Sequence, residues 1–179
     1  GYDGFEEWIP NRYGAHADFD LRMGGVKILV SQTTGSLQPC QEELNAMIGA
    51  IHESGLQAAI HAIEEPEIEA ACNAIENALR RNHRPNHRHR LEHCSVCLPG
   101  LANRMANLGV TVVTQPSFLY YSGDRYLKTV QNSQKPHLYP IGSMLSGALH
   151  VGFGSDFPIV DANPLTGIYA AATRMTEGG

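Results

Sequence analysis

A chain of 179 residues that is 42% hydrophobic and 17% charged has enough apolar material to bury one sizeable core, which excludes the disordered and fibrous classes. Its 13 Lys+Arg against 18 Asp+Glu leave a net charge of −5, with the basic residues gathered in one stretch, so a dedicated nucleic-acid binder is excluded and a small-molecule partner expected. No apolar run reaches the roughly 18 residues a membrane span needs, no signal-peptide pattern opens the chain, and four cysteines are too few for a disulfide scaffold; a soluble, cytoplasmic protein is expected.

Residues 1–23 are mixed and aromatic without a helix or strand period and read as an irregular lead-in. The first element is the strand Val26 to Val30, which carries Lys27 between Gly24-Gly25 and a turn-rich stretch ending at Pro39. A helix follows from Cys40 to Ser54, where Leu44, Met47, Ile48 and Ile51 recur at helical spacing and Gly55 supplies the stop. The unit then repeats: strand Gln57 to His61, helix Pro66 to Arg81, strand Arg88 to His93, helix Pro99 to Leu108, strand Val110 to Thr114. A long loop through Pro140, a short helix Ile141 to Ser146, a strand Leu149 to Gly154 and a helix Pro164 to Arg174 complete the reading. Five near-continuously apolar strands alternating with helices predict a parallel sheet covered on its outer face, either doubly wound or part of a (β/α)₈ barrel.

In both architectures function gathers at the carboxyl ends of the strands, and His61, His93, Gln115 and Asp156 stand at or just past those ends. No Gly-rich phosphate loop follows the first strand, since Ser31 to Ser36 matches neither G-x-G-x-x-G nor G-x-x-x-x-G-K-[ST]. Lys27, His61, His93 and Asp156 together form a candidate metal set, because neutral imidazole and carboxylate suit Zn²⁺, Fe²⁺ or Mn²⁺. Taken singly, a histidine at a strand end is more often a hydrogen-bonded structural residue than a ligand, so only the convergence of these groups points to a metal. Tyr120 and Arg125, in the long loop after the strand ending at Thr114, are candidate substrate contacts together with Gln115, because barrel loops on that face line the pocket.

These residues resemble, segment by segment, the metal-dependent amidohydrolase superfamily in the branch called amidohydrolase family 3. Gly24 to Val30 with its lysine resembles that family's fourth barrel strand, and His52 to Ile63 its fifth, where the histidine corresponding to His61 is a metal ligand. Arg88 to Cys94 resembles the sixth, which supplies His93; Gln115-Pro116-Ser117 resembles the end of the seventh; Gly152 to Ile159 resembles the eighth, whose aspartate corresponds to Asp156. The resemblance implies a partial (β/α)₈ TIM barrel, about strands four to eight. It also implies hydrolysis of carbon–nitrogen bonds other than peptide bonds, amide or cyclic amide in type, by metal-activated water. His61, His93 and Asp156 would hold one or two divalent ions, zinc first and iron or manganese as alternatives. Asp156 would also shuttle the proton, and Lys27 would be a ligand only if carboxylated.

One departure bears on activity. The family's first strand carries a His-x-His pair, and none precedes Lys27 here; His87-Arg88-His89 has that spacing but stands at the opening of the strand that leads to His93. The expectation is a single domain over 1–179, a fragment of a hydrolase barrel whose βα units run from 24 to 174. Its open sheet edges would be covered by a missing N-terminal half or by self-association, and the isolated chain would be weakly active or inactive. Two rivals stand beside it: a non-catalytic partial scaffold, and a small zinc module built on the His/Cys cluster 83–97, in which Cys94-x-x-Cys97 has half a zinc site's spacing.

Overall fold

Residues 24–32 and 35–179 are described by the computed structural model, and the lead-in expected for 1–23 lies outside them. The alternation is realised as β1 (Gly25–Leu29), α1 (Gln41–Glu53), β2 (Gln57–Ala62), α2 (Glu65–Arg81), β3 (Arg90–His93), α3 (Pro99–Asn107) and β4 (Thr111–Thr114). Then come α4 (Ser117–Thr129), a 3₁₀ turn (Lys135–His137), α5 (Ile141–Ser146), β5 (His150–Phe153) and α6 (Pro164–Thr173). The strands are all parallel in the order β1-β2-β3-β4-β5, each beside its neighbour in sequence. A doubly wound sheet reverses its strand order part-way, whereas a sheet that advances one place at a time is a barrel sector. The partial barrel expected from the sequence is the fold observed.

Period-two alternation explains which side is covered. Along β1, Val26 and Ile28 are buried, as is Val30 just beyond, while Gly25, Lys27 and Leu29 are exposed. The buried set meets the helices, where Ile48, Ile51, Ile60, Ile68, Ile75, Leu91, Met105 and Val112 form one continuous core. Each such side chain contributes roughly 1.5–3 kcal/mol by leaving water. On the opposite, inner face Leu29 is 60% exposed. Register puts Leu29 beside His61 and His61 beside Glu92, with Lys27 one layer nearer the strands' amino ends, beside Ala59.

Local chemistry sets the boundaries. Gly55 (φ 72°) and Gly109 (φ 70°) end α1 and α3 in the left-handed region that glycine enters freely. At the start of α2 the Glu67 carboxylate accepts the N–H groups of Ile63 (2.6 Å) and Glu64 (3.2 Å), donors a helix start leaves without partners. Asn163 accepts from Leu165 N–H at 3.0 Å ahead of α6. At its other end Arg174 donates to the carbonyls of Leu138 and Tyr139, 2.9 Å each.

One expectation is corrected. The stretch read as a loop from residue 115 to Pro140 contains α4, a thirteen-residue helix. Aromatic side chains and Gly123 mask its helical period, and tertiary packing decides it: Leu119 and its neighbours Phe118, Tyr120 and Tyr126 pack with Val96, Leu138, Tyr139 and Ala170 of α6. The basic stretch between α2 and β3 turns partly inward. Arg84 donates to the carbonyls of His52, Leu56 and His87, and His52, His87 and His89 are buried together.

The proton positions in that histidine cluster follow from its backbone partners. Ala58 N–H donates to His89 Nδ1 (3.0 Å), so the neutral ring carries its proton on Nε2 and donates to His52 Nδ1 (2.8 Å); His52 Nε2–H then donates to the Asn82 carbonyl (2.7 Å). His89 N–H donates to His87 Nδ1 (2.9 Å), and His87 Nε2–H to the Leu108 carbonyl (2.9 Å). All three rings are neutral with both nitrogens used. Burial drives the pKa of His89 down to about 2, and His87 is also lowered, mainly by burial. Among the described residues, no helix is long and apolar enough to cross a membrane.

Candidate metal centre

His61 is in β2, and strand parity turns it to the inner face, the side opposite Ile60 and Ala62. His93 reaches the same place by a different device. It pairs with Ala62, so an ordinary extended backbone would send its ring into the helix layer. Instead His93 has φ 76° and Cys94 φ 47°, and Cys94 N–H donates both to Ala62 O (2.9 Å) and back to Glu92 O (3.2 Å). This is a γ-turn centred on a non-glycine residue, a strained conformation costing on the order of 1–3 kcal/mol. It brings the His93 ring edge-on to His61, centroids 4.4 Å apart and planes at 70°.

Burial lowers the His61 pKa first, then the proximity of His93 and Lys27; Glu67 and Asp156 oppose the shift. A lowered pKa keeps the imidazole neutral at pH 7, the form that offers a lone pair to a cation. Gln115, 3% exposed, directs Oε1 at His93 Nδ1 (2.8 Å) and Nε2 at the Val113 carbonyl (3.3 Å). Expected to touch substrate, it is occupied inside the protein.

Asp156 lies exposed in the turn after β5, in the left-handed region at φ 57°, with its carbonyl accepting from Ile159 N–H at 2.9 Å. Among the described residues, no three His, Cys, Asp or Glu side chains converge closely enough to hold an ion. The structure therefore joins His61 to His93 and leaves Asp156 and Lys27 as neighbours at longer range. Tyr120 and Arg125 both belong to α4. Tyr120 meets Tyr121 and Tyr169 edge-on and lines a cavity with Leu165, Thr166 and Glu177, and the Arg125 guanidinium lies 5.2 Å over the Tyr126 ring.

Sequence reading missed two buried carboxylates beside this pair. Glu92 neighbours His61 across the β2–β3 register and pairs with Arg90 at 2.6 Å; Glu67 ties down the chain immediately after His61. The Arg90-x-Glu92 alternation on a strand was the available signal. The rival zinc module finds no support in the same region. Burial raises the Cys97 thiol to about 12 and Cys94 well above its usual range, opposing the thiolate a zinc site needs, and His87 and His89 have spent both nitrogens.

The family model that matches this chain, over residues 2–179, is that of the amidohydrolase family. The chain belongs to the amidohydrolase family. Among its relatives is Protein LONG AFTER FAR-RED 3 of Arabidopsis thaliana, 33% identical over 176 residues, covering 87% of this chain and 30% of that protein. Another is N-substituted formamide deformylase of Arthrobacter pascens, 31% identical over 91 residues, covering 50% of this chain and 17% of that protein. The chain thus spans less than a third of the length of the curated relatives it matches. Two solved structures share the amidohydrolase chain's fold. An uncharacterized metal-dependent hydrolase from Pyrococcus horikoshii has a TM-score of 0.77 at 23% identity, covering 97% of this chain and 38% of that one. Its counterpart from Pyrococcus furiosus has a TM-score of 0.74 at 25% identity, covering 94% and 37%.

Proposed function

We propose that this chain carries part of the metal centre of a hydrolase that cleaves carbon–nitrogen bonds other than peptide bonds, amide or cyclic amide in type. The observation that carries the reading is the His61–His93 pair: two imidazoles at the carboxyl ends of adjacent parallel strands, rings 4.4 Å apart, one held neutral by its surroundings and the other turned toward it by a strained backbone. Support comes from the Pyrococcus furiosus protein, described as a metal-dependent hydrolase, and from the Arthrobacter relative, whose name is that of a deformylase acting on N-substituted formamides.

The donor chemistry fits a divalent ion of the zinc, iron or manganese kind. His61, His93 and Asp156 would hold it, zinc first, with Lys27 a ligand to a second ion only as its carbamate. When bound, such an ion lowers the pKa of a water to about 7 and polarises a carbonyl. The residues of the chain do the rest. The paired imidazoles fix position, and Asp156, exposed on its turn, can take a proton from the attacking water and pass it to the leaving nitrogen.

A second reading is favoured by one observation, the lack of a three-ligand group among the described residues: a partial scaffold that binds without catalysing. Assays of the zinc-loaded chain on N-substituted formamides and cyclic amides separate the two. The hydrolase reading expects slow, metal-dependent release of the amine that falls about 10²-fold or more in Asp156→Asn. Turnover unchanged in Asp156→Asn, or zinc that stays bound when His61 and His93 are both replaced by alanine, overturns it; bound zinc with no turnover favours the scaffold for the isolated chain.

A further inference from the structure

We propose that Gln115 is a positioning residue that fixes the tautomer of His93, so that Nε2 is the nitrogen available to a metal ion; the inference rests on the metal-centre reading above. The Val113 carbonyl can only accept, so the Gln115 side-chain nitrogen must be the end that faces it, at 3.3 Å. That orientation puts Gln115 Oε1 at His93 Nδ1, 2.8 Å away. An amide oxygen also can only accept, so Nδ1 carries the proton of the neutral ring, and the remaining lone pair is on Nε2.

Three features make this a built arrangement rather than an incidental contact. Gln115 is 3% exposed, so water does not compete for His93. Gln115 follows directly on the last residue of β4, whose ladder to β5 continues past the strand as Gly154 N–H donates to Thr114 O at 2.9 Å, so its backbone is anchored. Finally, the γ-turn has already spent free energy to aim the His93 ring, and an aimed ring is of use to a metal only if the right nitrogen is bare. Groups that hold a ligating histidine's other N–H orient the ring and raise its basicity, and their loss commonly weakens metal affinity 10–100-fold.

The experiment is nitrogen-15 NMR of the metal-free chain with labelled histidine, at one pH where the imidazoles are neutral, followed by zinc titration. In the wild-type chain His93 should show a protonated Nδ1 and a pyridine-type Nε2. Gln115→Leu, near in volume but without an acceptor, should shift His93 toward the Nε2–H form and weaken zinc binding about 10–100-fold. Gln115→Glu, which keeps an acceptor, should retain the Nδ1–H form. A wild-type His93 with its proton on Nε2 overturns the inference and does not depend on any variant folding. So does an unchanged tautomer in Gln115→Leu. If the wild-type tautomer is Nδ1–H and responds to Gln115→Leu while no variant binds zinc, the positioning role stands and the metal-centre reading fails.

Discussion

Lowering the pH from 7 to 5 should destabilise the folded chain by about 2 kcal/mol through His89 alone. The ring is fully buried, and its pKa falls from an ordinary 6.5 to about 2 in the folded state. With the folded pKa depressed, the unfolded chain takes up the proton first as pH falls. The stability tied to the neutral ring is therefore complete above pH 6.5 and is lost progressively toward pH 2, with a limiting slope of about 1.4 kcal/mol per pH unit. At pH 5 the unfolded ring is about 97% protonated and the folded ring essentially not, which gives the figure above. His87, also lowered, adds to the loss in the same window. Protonation cannot be absorbed by a small shift, because a proton on His89 Nδ1 would face the Ala58 N–H and Arg84 already stands against the cluster. The assay is urea unfolding at pH 7, 6 and 5, repeated on His89→Asn, which is less stable at pH 7 but should lose about one proton's worth of the slope. Equal stability at pH 7 and pH 5, or an unchanged slope in His89→Asn, refutes the tautomer assignment and the burial argument together.

Other outcomes follow from the core and the thiols. In the native chain one thiol, that of exposed Cys40, should react with a thiol reagent at pH 8, because Cys72 (raised to about 11), Cys94 and Cys97 are buried; four should react in urea, and more than one in the native state would contradict the packing. Leu91→Ala in β3 removes a fully buried side chain from the middle of the sheet and should cost about 2–5 kcal/mol in urea unfolding; a loss below 1 kcal/mol would show that the site collapses or is already loose.

Much of the architecture was legible because it rests on short-range signals. The β-branched runs Val26 to Val30 and Val110 to Thr114 marked two strands, Gly55 and Gly109 marked helix ends, and Leu44, Ile48 and Ile51 at helical spacing marked α1, with the boundaries displaced by a residue or two where helix ends fray. Helix α4 was not legible, since its aromatic face has a period only once α6 is packed against it. At the site the sequence named His61 and His93 but could not show how they meet. Parity predicts the direction of His61; the direction of His93 depends on a positive φ held by the Cys94 N–H, a choice made by tertiary hydrogen bonds. The same limit applies to Gln115. A polar residue at a strand end reads as a substrate contact, and only the fold shows Gln115 buried with Oε1 directed at His93 Nδ1.

The central claim is that the His61–His93 rim, and not the cysteine cluster, takes the metal. X-ray absorption at the zinc edge of the zinc-loaded chain tests it directly, because zinc–nitrogen and zinc–oxygen bonds near 2.0–2.2 Å are distinct from zinc–sulfur bonds near 2.3 Å. The account predicts a nitrogen and oxygen shell containing two imidazoles, lost in His61→Ala and in His93→Ala and unaffected by Cys94→Ser with Cys97→Ser. A sulfur shell, or imidazole scattering that survives removal of both His61 and His93, would contradict it.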